Sequence, residues 1–313
     1  MKSRTIQGLG LAAAVTALAG CASSPPPRQP IARQASPAPS VTPAERGLAA
    51  QAAAFEGFMH HAAGIDAAFS SPAEVAQALQ TGAAYEPKTM EAGVIAFAAM
   101  AALQEPRFVA AVRADRDRGE LARRLTSNPQ AALSLPGADA AAGRASGALY
   151  AQGDALAGEG RRVKQAAYSV QHQAWSKANV PDPSGRLSRV KRISAAGYQP
   201  SRDDAGRLQS SLAGAGRRGG APSPLVARGV AVAALSVLGE DGKARSLMTD
   251  PRAAMCLRMA KLNLYQCLAS AGPHYEDIFC LGQHAMIDPG QCVVDATKTQ
   301  PQRVAVTKAS YPR

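Results

Sequence analysis

Cysteine is the residue type whose spacing most directly indicates chemistry in this chain. Four of the five cysteines lie within the last 60 residues, at Cys256, Cys267, Cys280 and Cys292. Asp250-Pro251 predicts the start of a helix that ends at about Ala271, so that the first two of them share one helix. They are 11 residues apart, which is three turns and about 16 Å along the axis. They therefore face one side of the helix but are too far apart to bridge each other.

Two disulfide pairings remain for these four cysteines. An even number of cysteines in an oxidising compartment is typical of a disulfide framework. If the chain turns back at Gly272-Pro273, one register of an antiparallel helical hairpin places Cys267 opposite Cys280. The same register places Cys256 opposite Cys292. We therefore favour this nested pairing over the crossed alternative, Cys256 with Cys280 and Cys267 with Cys292.

Histidines and carboxylates surround the third cysteine and allow two other interpretations. A zinc site could use His274 and His284, but structural zinc sites usually contain C-x2-C pairs, and this sequence has none. We therefore expect no metal. The other interpretation is a cell-wall-active enzyme with a site near residues 274–284, where Glu276-Asp277 or a histidine acts as general acid or base. Adjacent acids on a helix are more often simply solvated, so this enzyme remains the alternative.

Two motif matches lack the sequence context that their chemistry requires. Residues 214–219 match GxGxxG, but no predicted strand precedes them and no acidic residue follows at the expected distance. Ser188 and Lys191 match the Ser-x-x-Lys motif of penicillin-interacting enzymes, but neither Lys-Thr pair in the chain is followed by glycine. The motifs HExxH, GxSxG and Walker A do not occur. We therefore expect no cofactor and favour a non-enzymatic protein.

The N-terminal segment indicates export and lipid attachment. Lys2 and Arg4 precede an apolar run from Leu9 to Gly20, which is too short to span a bilayer but suits the core of a signal peptide. The run leads into Leu18-Ala19-Gly20-Cys21, which resembles the lipobox of bacterial lipoproteins. This resemblance covers residues 1–21 only. It implies that residues 1–20 are a signal peptide and that Cys21 becomes an acylated N-terminus carrying fatty acids such as palmitate.

A proline-rich tether follows the lipid-attachment cysteine. Residues 21–43 comprise Cys21 and a segment with seven prolines and no acidic residue. In polyproline II conformation its 22 residues after the cysteine extend at most about 68 Å. In the lipoproteins that the N-terminus resembles, a residue other than Asp after the cysteine implies transport to the outer membrane, and Ala22 stands there. We expect an outer-membrane lipoprotein of the cell envelope that faces the periplasm.

Composition after the tether predicts an all-α fold, an alanine-rich helical bundle. Aromatic residues make up only 4% of the chain, so burial depends on many small side chains of closely packed helices. Few segments alternate with period two, which disfavours a large sheet. Capping residues followed by proline predict helix starts near Pro43 and Pro72. A third helix, about Thr89–Gln104, is apolar nearly all round and should lie at the centre of the first half.

The longest predicted helix extends from Ala138 to about Lys177. Large apolar residues recur every seven positions, beside a row of small residues that includes Gly153 and Gly160. A large row beside a small row allows a partner helix to approach closely. Gly158 and Gly160 weaken the helix and favour a bend there.

Domain organisation follows from these elements. Removing 20 signal residues from 313 leaves 293, enough for one large or two modest domains. We expect a helical bundle over residues 44–214 and a flexible loop over residues 215–224. A helical region with two disulfides, clamped as a C-terminal hairpin, should occupy residues 225–295. Residues 296–313 should form a polar tail. Whether the two helical regions share one core is open at this point.

A strongly basic segment is the candidate docking face. The chain has a formal charge of +12, which favours acidic partners. Residues 161–192 contain eight Lys and Arg residues against one acid, Asp182. They form either a solvated surface without a partner or a face that docks on something anionic. The candidates for that face are Arg161, Arg162, Lys164, Arg186, Arg189, Lys191 and Arg192.

These observations together predict a lipid-anchored envelope protein with a structural or adaptor role. Its partners would be the membrane, through the N-terminal lipid, and an envelope protein or a cell-wall polymer. Nucleic acid does not fit an exported protein despite the positive charge.

Overall fold

Residues 43–299, which the computed structural model describes, form α-helices and contain no β-strand. A 3-10 segment covers Pro129–Ser134 and a π-helical segment covers Leu281–Ile287. The all-α fold is therefore confirmed. The helices are α1 (Pro43–Ala63), α2 (Pro72–Gly82), α3 (Pro87–Ala102), α4 (Pro106–Ala114), α5 (Arg118–Ser127), α6 (Ala138–Val170), α7 (Ala174–Lys177), α8 (Pro183–Ala196), α9 (Arg202–Gly214), α10 (Pro224–Leu238), α11 (Asp241–Ser246), α12 (Pro251–Ser270), α13 (His274–Cys280) and α14 (Asp288–Ala296).

Proline and capping side chains set the start of many helices. The predicted starts near Pro43 and Pro72 are confirmed. Ser71 caps α2 by accepting a hydrogen bond from the amide of Glu74, as the sequence pattern requires. Asp250 likewise accepts from two amides of the first turn of α12. The signal peptide, Cys21, the tether and residues 300–313 lie outside the described residues.

Helix α3 lies at the centre of the core. It packs against α1, α6, α10 and α12, and most of its side chains are buried on every face. Phe97 contacts Phe55 of α1 with ring centroids 5.2 Å apart. Among residues 43–299 no single helix is both long and apolar enough to cross a membrane. α3 and α4 reach that threshold only as a pair, and they are bent by 90° relative to each other.

Helix α6 contacts the C-terminal segment backbone to backbone. It continues for 33 residues without a break at Gly158 or Gly160. A Cβ atom at Gly160 would lie 2.8 Å from the amide nitrogen of Ile287 and 2.9 Å from the carbonyl oxygen of Gly282. A Cβ at Gly153 would lie 2.7 Å from the carbonyl oxygen of Gly290. The small-residue row of α6 therefore receives the π-helical segment and α14.

The C-terminal hairpin has the nested disulfides that its spacing predicts. Cys256 is bonded to Cys292, and Cys267 to Cys280, each with a Cα–Cα distance of 5.7 Å. The arm that returns along α12 is not one α-helix. It comprises α13, the π-helical segment and α14 in succession, and each arm segment contacts α12.

The loop between α9 and α10 does not separate two cores. It has no regular structure over residues 215–223, but its backbone and side chains contact the bundle. The amide of Arg218 donates to the carbonyl of Gly143 at 2.9 Å, and its guanidinium lies 3.7 Å from the ring centroid of Tyr150. Arg217 pairs with Glu105 at 2.7 Å. Helices before and after the loop share one hydrophobic core.

The close approach of α6 to the C-terminal segment predicts opposite effects for two neighbouring glycines. Gly160→Ala places a methyl group against backbone atoms that cannot move aside, so it should lower the free energy of unfolding by about 1–3 kcal/mol. Gly158→Ala is the matched control, because its Cβ would meet only the guanidinium of Arg161, at 3.7 Å. It should raise the free energy of unfolding by up to about 1 kcal/mol through helix propensity. Urea unfolding of both variants measures this, and equal effects would contradict the packing argument.

Candidate functional site

The two acidic residues predicted as a possible catalytic pair, Glu276 and Asp277, both make structural contacts. Asp277 is buried and forms an ion pair with Arg186 of α8, which is also buried. The other guanidinium nitrogen of Arg186 donates to the carbonyls of Leu268 and Ala271 at the end of α12. Burial raises the pKa of Asp277 to about 6, and the Arg186 guanidinium opposes that shift. This pair joins α8, α12 and α13, and removing either partner would leave a buried charge.

The remaining candidates in this region also have local partners. Glu276 accepts a hydrogen bond from the amide of Gly272 at 2.8 Å. Nδ1 of His284 lies 2.7 Å from a carboxylate oxygen of Asp288, one turn further along. His274 is buried, and burial together with the nearby Arg186 guanidinium lowers its pKa. These contacts hold the C-terminal hairpin together and do not converge on a common point for a substrate.

The cysteines are not available as metal ligands. All four cysteines of the zinc interpretation are consumed in the two disulfides. Within residues 43–299 no group of three His, Cys, Asp or Glu side chains has the arrangement needed to hold a metal ion. In this arrangement none of the four cysteines supplies a thiolate, because disulfide sulfur cannot act as one.

A serine and a lysine that sequence reasoning missed lie together between α8 and α12. Nζ of Lys261 donates to Oγ of Ser194 at 3.2 Å and to the carbonyl of Ala83 at 2.9 Å. It also lies 3.4 Å from the ring centroid of Tyr85. Burial lowers the pKa of Lys261 well below its usual value. A lysine amine beside a serine hydroxyl is the arrangement of Ser-Lys catalytic dyads.

The Ser194–Lys261 pair is enclosed and cannot reach a substrate. Ser194 is only 1% exposed and Lys261 only 3% exposed. The serine hydroxyl donates to the carbonyl of Ala83 at 2.9 Å, so its proton is directed to the backbone. The pair therefore satisfies a backbone carbonyl and joins α8, α12 and the turn after α2. No sequence motif connects the two residues, because they are 67 positions apart.

A cleft of about 460 Å³ lies between α1 and α2. Its polar lining includes Asp66, Glu74 and His61. Asp66 accepts from the amide of Ala68, and Glu74 accepts from the amide and hydroxyl of Ser70. Both carboxylates therefore stabilise the loop between the helices, and they are not directed at the cavity as a binding set.

The predicted basic face is divided by the fold. Arg186 is not part of it, because its guanidinium is buried against Asp277. Lys164 is half-buried, bonded to the amide oxygen of Gln283 at 2.9 Å, and Arg162 pairs with Glu159. Exposed on α8 are Arg189, Lys191 and Arg192. Arg161 is also exposed, but on α6. The exposed basic residues of the predicted face that lie close together are therefore the three on α8.

An apolar stripe on α12 adjoins the basic side chains of α8. Met255, Met259 and Leu262 are 54%, 47% and 51% exposed. Nζ of Lys191 lies 5.7 Å from the ring centroid of Tyr265, which places the exposed side of α8 next to α12. Sequence reasoning missed this stripe, although its spacing is visible once α12 is known to bury the opposite side. We name this feature the α8–α12 surface, consisting of Arg189, Lys191, Arg192, Arg252, Met255, Arg258, Met259 and Leu262.

Known proteins offer no relative from which a function could be transferred. The chain matches no protein-family model, and no curated protein or solved structure is significantly similar to it. A proposal for its function therefore depends on its own residues. Among the described residues, the α8–α12 surface is an exposed feature that packing and helix capping do not explain.

The buried lysine predicts a pH dependence of stability. Its pKa is lowered in the folded protein and returns to about 10.5 on unfolding, so between these two pKa values the unfolded chain binds more protons than the folded chain. The free energy of unfolding should therefore rise with pH below about 10.5, by up to about 1.4 kcal/mol per pH unit from this group. Lys261→Met should fold and lose this contribution to the slope in urea unfolding as the pH rises toward about 10.5. Exposed Lys177→Met controls for the charge change, and an unchanged slope in Lys261→Met would contradict the assignment.

Proposed function

We propose that this protein is a lipid-anchored adaptor of the cell envelope that binds an acidic partner through the α8–α12 surface. The observation that carries the proposal is the combination of exposed cations and exposed apolar side chains on two adjacent helices. Neither helix contains an acidic residue. The lipobox-like segment and the proline-rich tether supply the membrane attachment in this proposal.

Electrostatics supports an anionic partner for this surface. The surface contains five cations, three on α8 and two on α12, and the whole chain has a formal charge of +12. Arg189 of this surface has an exposed acidic neighbour, Asp182 at the N-terminus of α8, at 3.7 Å. Exposed charges of one sign attract the opposite charge over about 10 Å at moderate ionic strength.

An adaptor role also agrees with the structural contacts of the titratable groups that could have been catalytic. Asp277, Lys261 and Glu276 could have acted in catalysis, but each is committed to an ion pair or a backbone hydrogen bond. The same contacts join α8, α12 and α13 beneath the α8–α12 surface.

The docking role can be tested in intact cells. Cross-linking followed by affinity purification and mass spectrometry should recover a defined envelope partner with the wild-type chain. The variant Arg189→Gln/Lys191→Gln/Arg192→Gln should lose that partner at least tenfold, because it removes the cations of α8. Recovery of the same partner at the same yield would contradict the proposal.

A matched control has the same charge change elsewhere. Arg107, Arg116 and Arg124 are equally exposed but lie on or between α4 and α5. Their replacement by glutamine should leave recovery of the partner unchanged. Equal loss in both variants would mean that net charge alone, and not the α8–α12 surface, determines binding.

Lipid attachment at Cys21 and the membrane to which the protein is sorted give a separate prediction. Cys21→Ser should abolish incorporation of labelled palmitate and release the protein from the membrane fraction. In the lipoproteins that residues 1–21 resemble, Asp after the cysteine retains the protein in the inner membrane. Ala22→Asp should therefore keep acylation but move the protein from the outer to the inner membrane fraction in a density gradient, with Ala22→Ser as control. Membrane association of Cys21→Ser equal to that of wild type would contradict lipid anchoring.

A further inference from the structure

We infer that the partner of the α8–α12 surface is a protein, and that it docks an acidic amphipathic helix along the exposed stripe of α12. This inference rests on the proposed adaptor function and adds the chemical class of the partner. The sequence left that class open between an envelope protein and a cell-wall polymer.

The stripe has the geometry of a helix-docking site. Met255, Met259 and Leu262 have the spacing i, i+4 and i+7, so at about 100° per residue they lie within an arc of about 60°. They extend about 10 Å along α12, which is two turns. Amphipathic helices bind to apolar surfaces through anchors with this same spacing. The partner would place its own apolar side chains between these three.

Cations flank the stripe on both sides. Arg252 and Arg258 lie about 60° to either side of Met255 on the helical projection of α12. Lys191 of α8 lies beside Tyr265, one turn beyond Leu262. A helix lying on the stripe would therefore have positive charge along both of its edges. Carboxylates beside its apolar face would complete the complementarity.

The surface is preorganised, which reduces the entropic cost of binding. The disulfides join α12 to Cys292 near its start and to Cys280 near its end. Arg186 and Lys261 join α12 to α8 through buried hydrogen bonds. The relative placement of the apolar stripe and of the basic side chains is therefore set before any partner arrives.

The composition of the surface favours a protein over the other anionic occupants. A cell-wall polymer presents polar groups and would leave the two methionines and the leucine uncovered. Methionine is enriched at protein interfaces, whereas helices at a lipid surface place Trp, Phe or Leu on the apolar face, and two of the three stripe residues are methionine with no aromatic among them. A second copy of this chain would bring cations against cations. An acidic amphipathic helix matches both the charge and the apolar stripe.

Photo-cross-linking in intact cells, with a benzophenone side chain in place of Met259, would identify the docked segment. A benzophenone in place of Tyr168 is the matched control, because Tyr168 is a comparably exposed large side chain on α6. The expected result is a cross-link from position 259, and not from position 168, to one peptide of one protein. That peptide should carry Asp or Glu beside apolar residues at helical spacing. Cross-links to lipid, to cell-wall glycan or to a second copy of the chain would overturn the inference.

Binding of the identified peptide, made synthetically, then separates the inference from the proposed function. The protein used is residues 21–313 carrying Cys21→Ser. The variant Met255→Ser/Met259→Ser/Leu262→Ser should weaken binding at least tenfold, and Arg189→Gln/Lys191→Gln/Arg192→Gln should weaken it and reduce its salt dependence. All substituted side chains are exposed, and thermal unfolding checks that both variants fold.

The outcomes of the binding measurement are distinct. Loss of binding in both variants supports the inference. Loss in the basic variant alone overturns the inference and leaves the adaptor proposal standing. Unchanged binding in both variants overturns both.

Discussion

Close contact between the backbone of α6 and the C-terminal segment is the constraint from which the rest of the structure follows. Gly160 lies against Gly282 and Ile287, so no side chain separates the two backbones there. The disulfides then hold α12 to this segment, and buried hydrogen bonds hold α8 to α12. Contacts thus lead from α6 to the C-terminal segment, from that segment to α12, and from α12 to α8. The exposed α8–α12 surface lies at the end of this set of contacts.

Two buried basic side chains, Arg186 and Lys261, help to hold these elements in place. Arg186 satisfies carbonyls at the end of α12 while it neutralises Asp277. Lys261 donates to a backbone carbonyl and to Ser194 beneath α8. Burying such groups is costly unless their hydrogen bonds are met, so the partners must occupy defined places. Because these side chains need their hydrogen-bond partners at defined positions, they favour one way of packing α8 against α12.

The proposed adaptor combines a tether that has reach with a surface that has a fixed shape. In this proposal the extended tether would reach at most about 68 Å from Cys21, and the folded part would search a layer of that depth near the membrane. The cross-linked helices would then present cations and apolar side chains in one arrangement. Tethering raises the local concentration of the surface, and rigidity limits what can bind to it.

Sequence alone determined the features that depend on local chemistry. Helix starts at Pro43 and Pro72, the apolar character of α3 and the nested disulfides follow from capping, periodicity and spacing along one segment. Only the tertiary structure decided which basic residues are exposed, because the burial of Arg186 depends on its contact with Asp277, 91 positions away. The same holds for Ser194 and Lys261, whose contact joins distant helices. It also holds for the stripe at Met255, Met259 and Leu262, since an amphipathic pattern does not reveal which apolar residues the fold leaves uncovered.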